Sequence, residues 1–161
     1  MTTNNNEIRF STLKKNPEYI EEYVTYCKKE WSNYTGEEFD EKVKKQIKRI
    51  NTTGDGIITV VLMLNGEELI GFISLFKTDG KHYRELFPWV ATFYIKEEYR
   101  KKGYSKRLFQ ELIDESVRLG YDTVFFRSYI DDYYDRFFNA EILKGLSNGQ
   151  KLYKISRKKD D

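Results

Sequence analysis

Between residues 89 and 128 the chain reads strand, turn, helix, strand, and no other feature restricts the fold as much. Trp89–Lys96 is dense in aromatic and β-branched residues. Lys101–Gly103 is a tight basic turn. Ser105–Leu119 carries Leu108, Phe109, Leu112, Ile113 and Val117 on one helical face, and Gly120 stops it. Asp122–Ser128 is a strand again. Two strands joined through a helix lie parallel, with a right-handed crossover.

The flanking segments extend the sheet. Glu7–Leu13 reads as a first strand. Asn16 offers a helix N-cap and Pro17 suits the first helical position. Ile20, Tyr23, Val24, Cys27 and Trp31 recur at helical spacing, which predicts a helix over 17–31. Thr35 and Glu38 form a capping box before a Phe39, Val43, Ile47, Ile50 stripe, predicting a second helix over 36–50. Ile57–Leu64 and Leu69–Phe76 read as strands joined at Asn65-Gly66. A charged, aromatic loop, Lys77–Phe87, leads through Pro88 into the central unit. A short helix over Ile130–Asn139 follows it, and Ser147-Asn148-Gly149 closes a last hairpin of Glu141–Leu146 and Gln150–Ser156. The expected class is α/β, with a mixed six- to seven-stranded sheet and helices on both faces. One domain spans 1–161, its polar ends, 1–6 and 157–161, expected to be flexible.

Composition mainly excludes. A net charge of +2 argues for neither a nucleic-acid nor a membrane partner. With one cysteine, Cys27 on an apolar helix face, no intrachain disulfide is possible. One cysteine and one histidine, His82, do not make a zinc site, so no metal is expected. The first six residues are polar, unlike a secretory signal, and Gly56–Gly66 is too short to span a bilayer. The expectation is a soluble cytoplasmic protein.

The chemistry concentrates at the central turn. A strand ends at Ile95, a glycine-containing basic turn follows, and a helix begins. Free N–H groups and the helix dipole at such a junction favour an anion. Gly103 permits close backbone approach or a positive φ. Arg100, Lys101, Lys102, Lys106 and Arg107 surround it, so a pyrophosphate is the natural guest. Seen alone, the same residues also fit an ordinary turn with solvated charges.

Ile95, Tyr99, Arg100 and Gly103 resemble the signature V-x-P-x-[YF]-[RQ]-x-x-G-x-[GA] of the GNAT superfamily of N-acetyltransferases. Glu97 replaces its proline and Ser105 its last small residue. The element order is similar to that family along nearly the whole chain, implying a GNAT-like fold. The resemblance implies acetyl-CoA as acetyl donor, with no metal. Backbone amides from Lys101 through Lys102, Gly103, Tyr104 and Ser105 to Lys106 would hold the pyrophosphate, with Arg100 beside them. Phe93, Tyr94 and Ile95 would line the pantetheine arm, Phe93 and Ile95 facing one way and Tyr94 the other. Lys106 or Arg107 either reaches a coenzyme A phosphate or stays solvated at the helix start.

The family also implies a tyrosine acid, in a frame A-x-x-L-Y-E-K-L-G-F after the fifth strand. Aligning Tyr134 puts Ile130, Tyr133 and Phe137 at the buried positions, whereas aligning Tyr133 would bury Asp132 and Arg136. Tyr134 is therefore the candidate general acid, against the reading of a core tyrosine without a proton role. His82, by its intrinsic pKa, or Glu85, through water, is a candidate base, against the reading of both as exposed loop residues; a base acting through a water chain, or no base at all, fits as well. Trp31, Tyr34 and Tyr83 are candidate walls for the acceptor, and carboxylates among them would suit a cationic amine. The implied partner is a small-molecule or peptide amine, and a homodimer is compatible with the fold. The alternative is an acyl-CoA-binding sensor or interaction module without turnover.

Overall fold

A computed structural model describes residues 7–30, 56–78, 83 and 85–157. The expected helix over 36–50, with Trp31, Tyr34 and His82, lies outside the described residues.

Seven strands among the described residues form one sheet: β1 (Ile8–Thr12), β2 (Ile57–Asn65), β3 (Glu68–Phe76), β4 (Trp89–Ile95), β5 (Thr123–Ser128), β6 (Glu141–Gly145) and β7 (Lys151–Ser156). Their order is β1-β2-β3-β4-β5-β7-β6. All neighbours run antiparallel except β4 and β5. The α-helices among the described residues are α1 (Ile20–Glu30), α2 (Tyr104–Arg118) and α3 (Tyr134–Phe138). The crossover through α2 is why β4 and β5 lie parallel. Nothing among the described helices is long and apolar enough to cross a membrane.

β2 and β3 are buried along almost their whole length. Continuous apolar runs such as Val60–Leu64 are what a strand covered on both faces requires. On one face α2 and α3 pack Leu108, Phe109, Leu112 and Tyr134 onto Ile73, Val124, Phe126 and Tyr153. On the other, α1 packs Tyr23, Val24 and Cys27 onto Val60, Leu62 and Phe72. The expected cover on both faces is present. Where β3 passes β4, a side chain at Gly71 would place Cβ 2.7 Å from Ile95 Cδ1 and 2.8 Å from Tyr94 O. Only glycine fits there.

Three boundaries differ from the sequence reading. The first helix opens as a 3-10 turn, Pro17–Tyr19, and becomes α-helical at Ile20. Asn16 caps nothing with its side chain, whose Nδ2 instead donates to Thr12 O at 2.8 Å and Ser11 Oγ at 2.5 Å. The helix expected from Ile130 begins only at Tyr134. Asp132 takes φ +57, which a helix cannot propagate. The preceding loop is tied down by Ile130 N–H donating to Ser128 Oγ and by Tyr153 OH donating to Ile130 O. Arg157, placed in the flexible end by its polar surroundings, is anchored. Its N–H donates to Asp122 O at 2.7 Å and its guanidinium meets Asp114 at 2.6 Å.

Burial pushes the Cys27 thiol and the Tyr134 phenol up to about 12, and raises the Tyr23 phenol well above its usual value. Each ionises at lower pH in the unfolded chain, so unfolding releases protons in alkali. Their contribution to stability is therefore constant below about pH 9 and falls as pH rises from there towards 12, by about 1.4 kcal/mol per pH unit for each group in its window. Thermal midpoints measured from pH 7 to 11 should show this alkaline fall. A flat profile would mean that these groups are solvated.

Candidate functional site

β4 and β5 pair only at Trp89 and Phe125, where Phe125 N–H donates to Pro88 O at 3.0 Å. Past that point β4 stays paired to β3 as far as Gly71 and Ile95, while its other edge opens on a gap. Strands that part leave backbone N–H and C=O groups to be satisfied by something other than the ladder. Side chains alternate as expected. Phe93 lies 5.9 Å from Phe109 of α2, and Ile95 joins the same cluster. Tyr94 faces the other way, 4.7 Å from Tyr26 and 5.5 Å from Phe72.

Beyond β4 the chain forms a 3-10 turn, Glu97–Tyr99. Arg100 Nε donates to Ile95 O at 2.7 Å, and its guanidinium stands 5.5 Å from the Tyr94 ring centre. Lys101 takes φ +64, and Gly103 takes φ +80 as the N-cap of α2. No side chain caps that end, so the first-turn amides remain open to a ligand. A cleft of about 380 Å³ joins the strand edge to this turn, lined by Glu30, Phe93, Tyr94, Ile95, Arg100 and Ser105.

The other cations divide. Lys106 Nζ lies 4.1 Å from the ring centre of exposed Phe137, on the α3 side. Arg107 turns back over Phe10 and Tyr104, at 5.8 Å from each. Of the two phosphate candidates, only Lys106 therefore points towards the side where the gap opens. Lys101, Lys102 and Gly103 are exposed on the turn, and Tyr104 is half-buried against the core.

Tyr134 is 7% exposed, its ring among Phe126 at 4.6 Å, Phe109 at 5.1 Å and Tyr153 at 5.7 Å. Burial, reinforced by neighbouring Tyr133, raises its phenol, and the Ser128 hydroxyl at the end of β5 opposes this. Tyr133 is half-buried, edge-on to Tyr134 at 5.0 Å. Burial raises its phenol too, and the Ser105 hydroxyl opposes that.

The burial pattern used to choose Tyr134 is not the observed one: Ile130 is 54% and Phe137 47% exposed. The short helix turns Tyr134 and Phe138 inward instead. Its end is left-handed at Asn139, φ +56, one residue after the position aligned with the frame's glycine. Counted from Asn139, the tyrosine position falls on exposed Asp135, and Tyr134 takes the place of the buried leucine.

Of the remaining candidates within the described residues, Glu85 and Tyr83 do not line the cleft. Glu85 is exposed on the turn that Leu86 N–H closes onto Tyr83 O. Tyr83 packs 6.5 Å from Trp89 at the start of β4. Lys144 Nζ lies 5.2 Å from the Tyr83 ring and the Arg127 guanidinium 5.7 Å from that of Trp89. The segments expected to bring carboxylates beside these aromatics, 31–37 and 79–82, lie outside the described residues. Sequence reasoning missed Glu30 and Tyr26, which stand with Tyr23 three and four residues apart on the α1 face that meets β4. That helical spacing was the available clue. Among the described residues no group of His, Cys, Asp or Glu is arranged to hold a metal ion.

Comparison with known proteins follows the same geometry. The profile of the acetyltransferase (GNAT) family matches residues 17–137. No curated protein matches significantly in sequence. Among solved structures, an aminoglycoside 6'-acetyltransferase type Ii aligns with TM-score 0.63 and 17% identity, over 92% of this chain and 96% of that one. An aminoglycoside 6'-N-acetyltransferase complexed with coenzyme A gives 0.64 and 16%, over 95% and 99%. NAA60 of Arabidopsis thaliana in complex with acetyl-CoA gives 0.61 and 17%, over 93% and 99%. At such identities the likeness is one of fold.

Proposed function

Because this chain belongs to the acetyltransferase (GNAT) family, we propose that it binds acetyl-CoA in the β4–β5 gap and transfers the acetyl group to a primary amine within a ternary complex. One observation carries the reading: two parallel strands part beside an uncapped helix start whose turn carries two left-handed residues. Similar structures holding coenzyme A and acetyl-CoA support the ligand. The aminoglycoside enzymes among them support a small amine as acceptor, and a peptide amine fits the same chemistry.

The residues fit the donor. Backbone amides from Lys101 to Lys106 would hold the pyrophosphate, with Arg100 and Lys106 adding positive charge. Phe93, Tyr94 and Ile95 would offer the pantetheine amides an open strand edge. Bound acetyl-CoA supplies an activated thioester carbonyl. A β4 N–H near Phe93–Ile95 polarises that oxygen, a contribution usually worth several kcal/mol to the barrier. The acceptor nitrogen bonds to the carbonyl carbon as the carbon–sulfur bond breaks. Its surplus proton leaves through water, with Glu85 as candidate relay, and Tyr134 donates its own proton to the departing sulfur. Cys27 takes no part: it is buried and its thiol stays protonated at neutral pH.

The test begins with a thermal scan in excess acetyl-CoA. Saturation to roughly 100 times the dissociation constant adds about 2.7 kcal/mol. That predicts a midpoint rise of about 5–10 °C for a domain of this size. An amine panel assayed for thiol release then finds the acceptor. No rise at any concentration removes the donor site and the transferase reading together.

A second reading, an acyl-CoA-binding module without turnover, draws on the Asn139 register, which puts Asp135 at the tyrosine position. Thermal stabilisation without thiol release from any amine would favour it.

A further inference from the structure

β4 does not follow β3 evenly. Phe72 pairs with Tyr94 and Ser74 with Ala91, so Ile73 alone stands opposite both Thr92 and Phe93. This is a β-bulge, and it lies in the stretch of β4 that borders the gap. Thr92 takes φ +46 there. A β-branched residue avoids that region unless its surroundings hold it.

What holds it is a triangle of hydroxyls from three elements. Tyr23 OH of α1 lies 2.8 Å from Ser74 Oγ of β3 and 3.3 Å from Thr92 Oγ1. Thr92 Oγ1 donates to Ser74 Oγ to close the ring. Tyr23 and Ser74 are fully buried, and Thr92 reaches the surface of the bulge at 6% exposure. Three hydroxyls bring three donors and enough lone pairs to satisfy one another, so none is left unpaired in the core. Tyr23 is fixed from behind by Phe72, edge-on at 4.7 Å.

A line of hydroxyls running from the gap into the core also has the form of a proton relay. Among the described residues it has no base at its inner end. Tyr23 is neutral at any physiological pH, and its neighbour Cys27 holds its proton until about pH 12. The arrangement moves no proton inward; it constrains the backbone. A bulge resets the alternation of N–H and C=O groups along a strand, so it decides which of them face the open side.

We propose that the Tyr23–Ser74–Thr92 triangle clamps the bulge of β4 so that an N–H on its open edge meets the thioester carbonyl, making Tyr23 and Ser74 positioning residues for acyl transfer. This rests on the reading of the gap as the acetyl-CoA site.

The experiment reads the infrared carbonyl stretch of acetyl-CoA, isotope-labelled at its carbonyl carbon, bound to the wild type and to variants. A hydrogen bond to that oxygen lowers its frequency. The wild type, the core control Leu62→Val and the conservative Thr92→Ser should share one downshift. Tyr23→Phe, Ser74→Ala and Thr92→Val should still bind but lose much of it. Once an acceptor is in hand, the same three should lose about 10- to 100-fold in kcat with KM for acetyl-CoA little changed. An equal downshift in every variant overturns the clamp and leaves the cofactor site standing. Failure of the wild type to bind acetyl-CoA removes the site itself, and the clamp with it.

Discussion

Replacing Tyr134 with Phe is expected to cut turnover about 100- to 1,000-fold while acetyl-CoA still stabilises the fold. The substitution removes one oxygen and keeps the ring that packs on Phe109, Phe126 and Tyr153. Its stability cost is that of a single buried hydrogen bond, about 1 kcal/mol. The phenol stays protonated until about pH 12, so its proton is available across the working range. It titrates too high to impose an alkaline limb on the rate near neutrality. The hydroxyl also belongs to the end of β5 through Ser128, beside the opening gap. Stopped assays of thiol release, run beside Tyr133→Phe, decide the assignment. An equal or larger loss in Tyr133→Phe transfers the role to the half-buried neighbour beside Ser105. Unchanged turnover in both variants removes the tyrosine acid from the mechanism.

The second large effect belongs to Gly103. A Gly103→Glu variant should fold, yet lose at least about 100-fold in acetyl-CoA affinity and with it the thermal shift. There is room for a side chain, since nothing lies within 4 Å of where Cβ would be. The obstacle is conformational and electrostatic. The residue sits at φ +80, where an L residue is strained by about 1–2 kcal/mol. The new carboxylate would also stand where a phosphate is to be held, and like charges a few ångströms apart near a surface repel by kilocalories. A Gly103→Ala variant separates the two causes. Lys101, at φ +64 in the same turn, shows that a side chain can be carried in this region. The alanine variant should therefore lose much less than the glutamate. Scans at several acetyl-CoA concentrations measure both. A full shift retained by Gly103→Glu would move the pyrophosphate away from this turn.

Around Tyr83 and Trp89 the described cationic stacking partners are Lys144 and Arg127; the segments expected to bring carboxylates there, 31–37 and 79–82, lie outside the described residues. Charge is hard to place from sequence because a strand residue two positions along faces the same way, while its partner across the sheet is set by register. Arg127 and Lys144 lie on one face because both stand opposite Leu152.

The sequence by itself determined the parts whose causes are local. The period of apolar residues marked α1, α2 and the strands. The Asn65-Gly66 hairpin marked one antiparallel pair, and the glycine turn at Gly103 with the helix between β4 and β5 required the parallel pair and its crossover, where the anion site is proposed. Tertiary structure alone decided the rest. Which of Tyr133 and Tyr134 turns inward depends on a loop held by Ser128 and Tyr153 and broken at Asp132. The bulge at Thr92 depends on a tyrosine 69 residues away in the chain and a serine 18 away. Periodicity sees neighbours along a chain. It carries no information on which distant hydroxyls will be buried together, and their mutual satisfaction is what holds β4 in its bulged form.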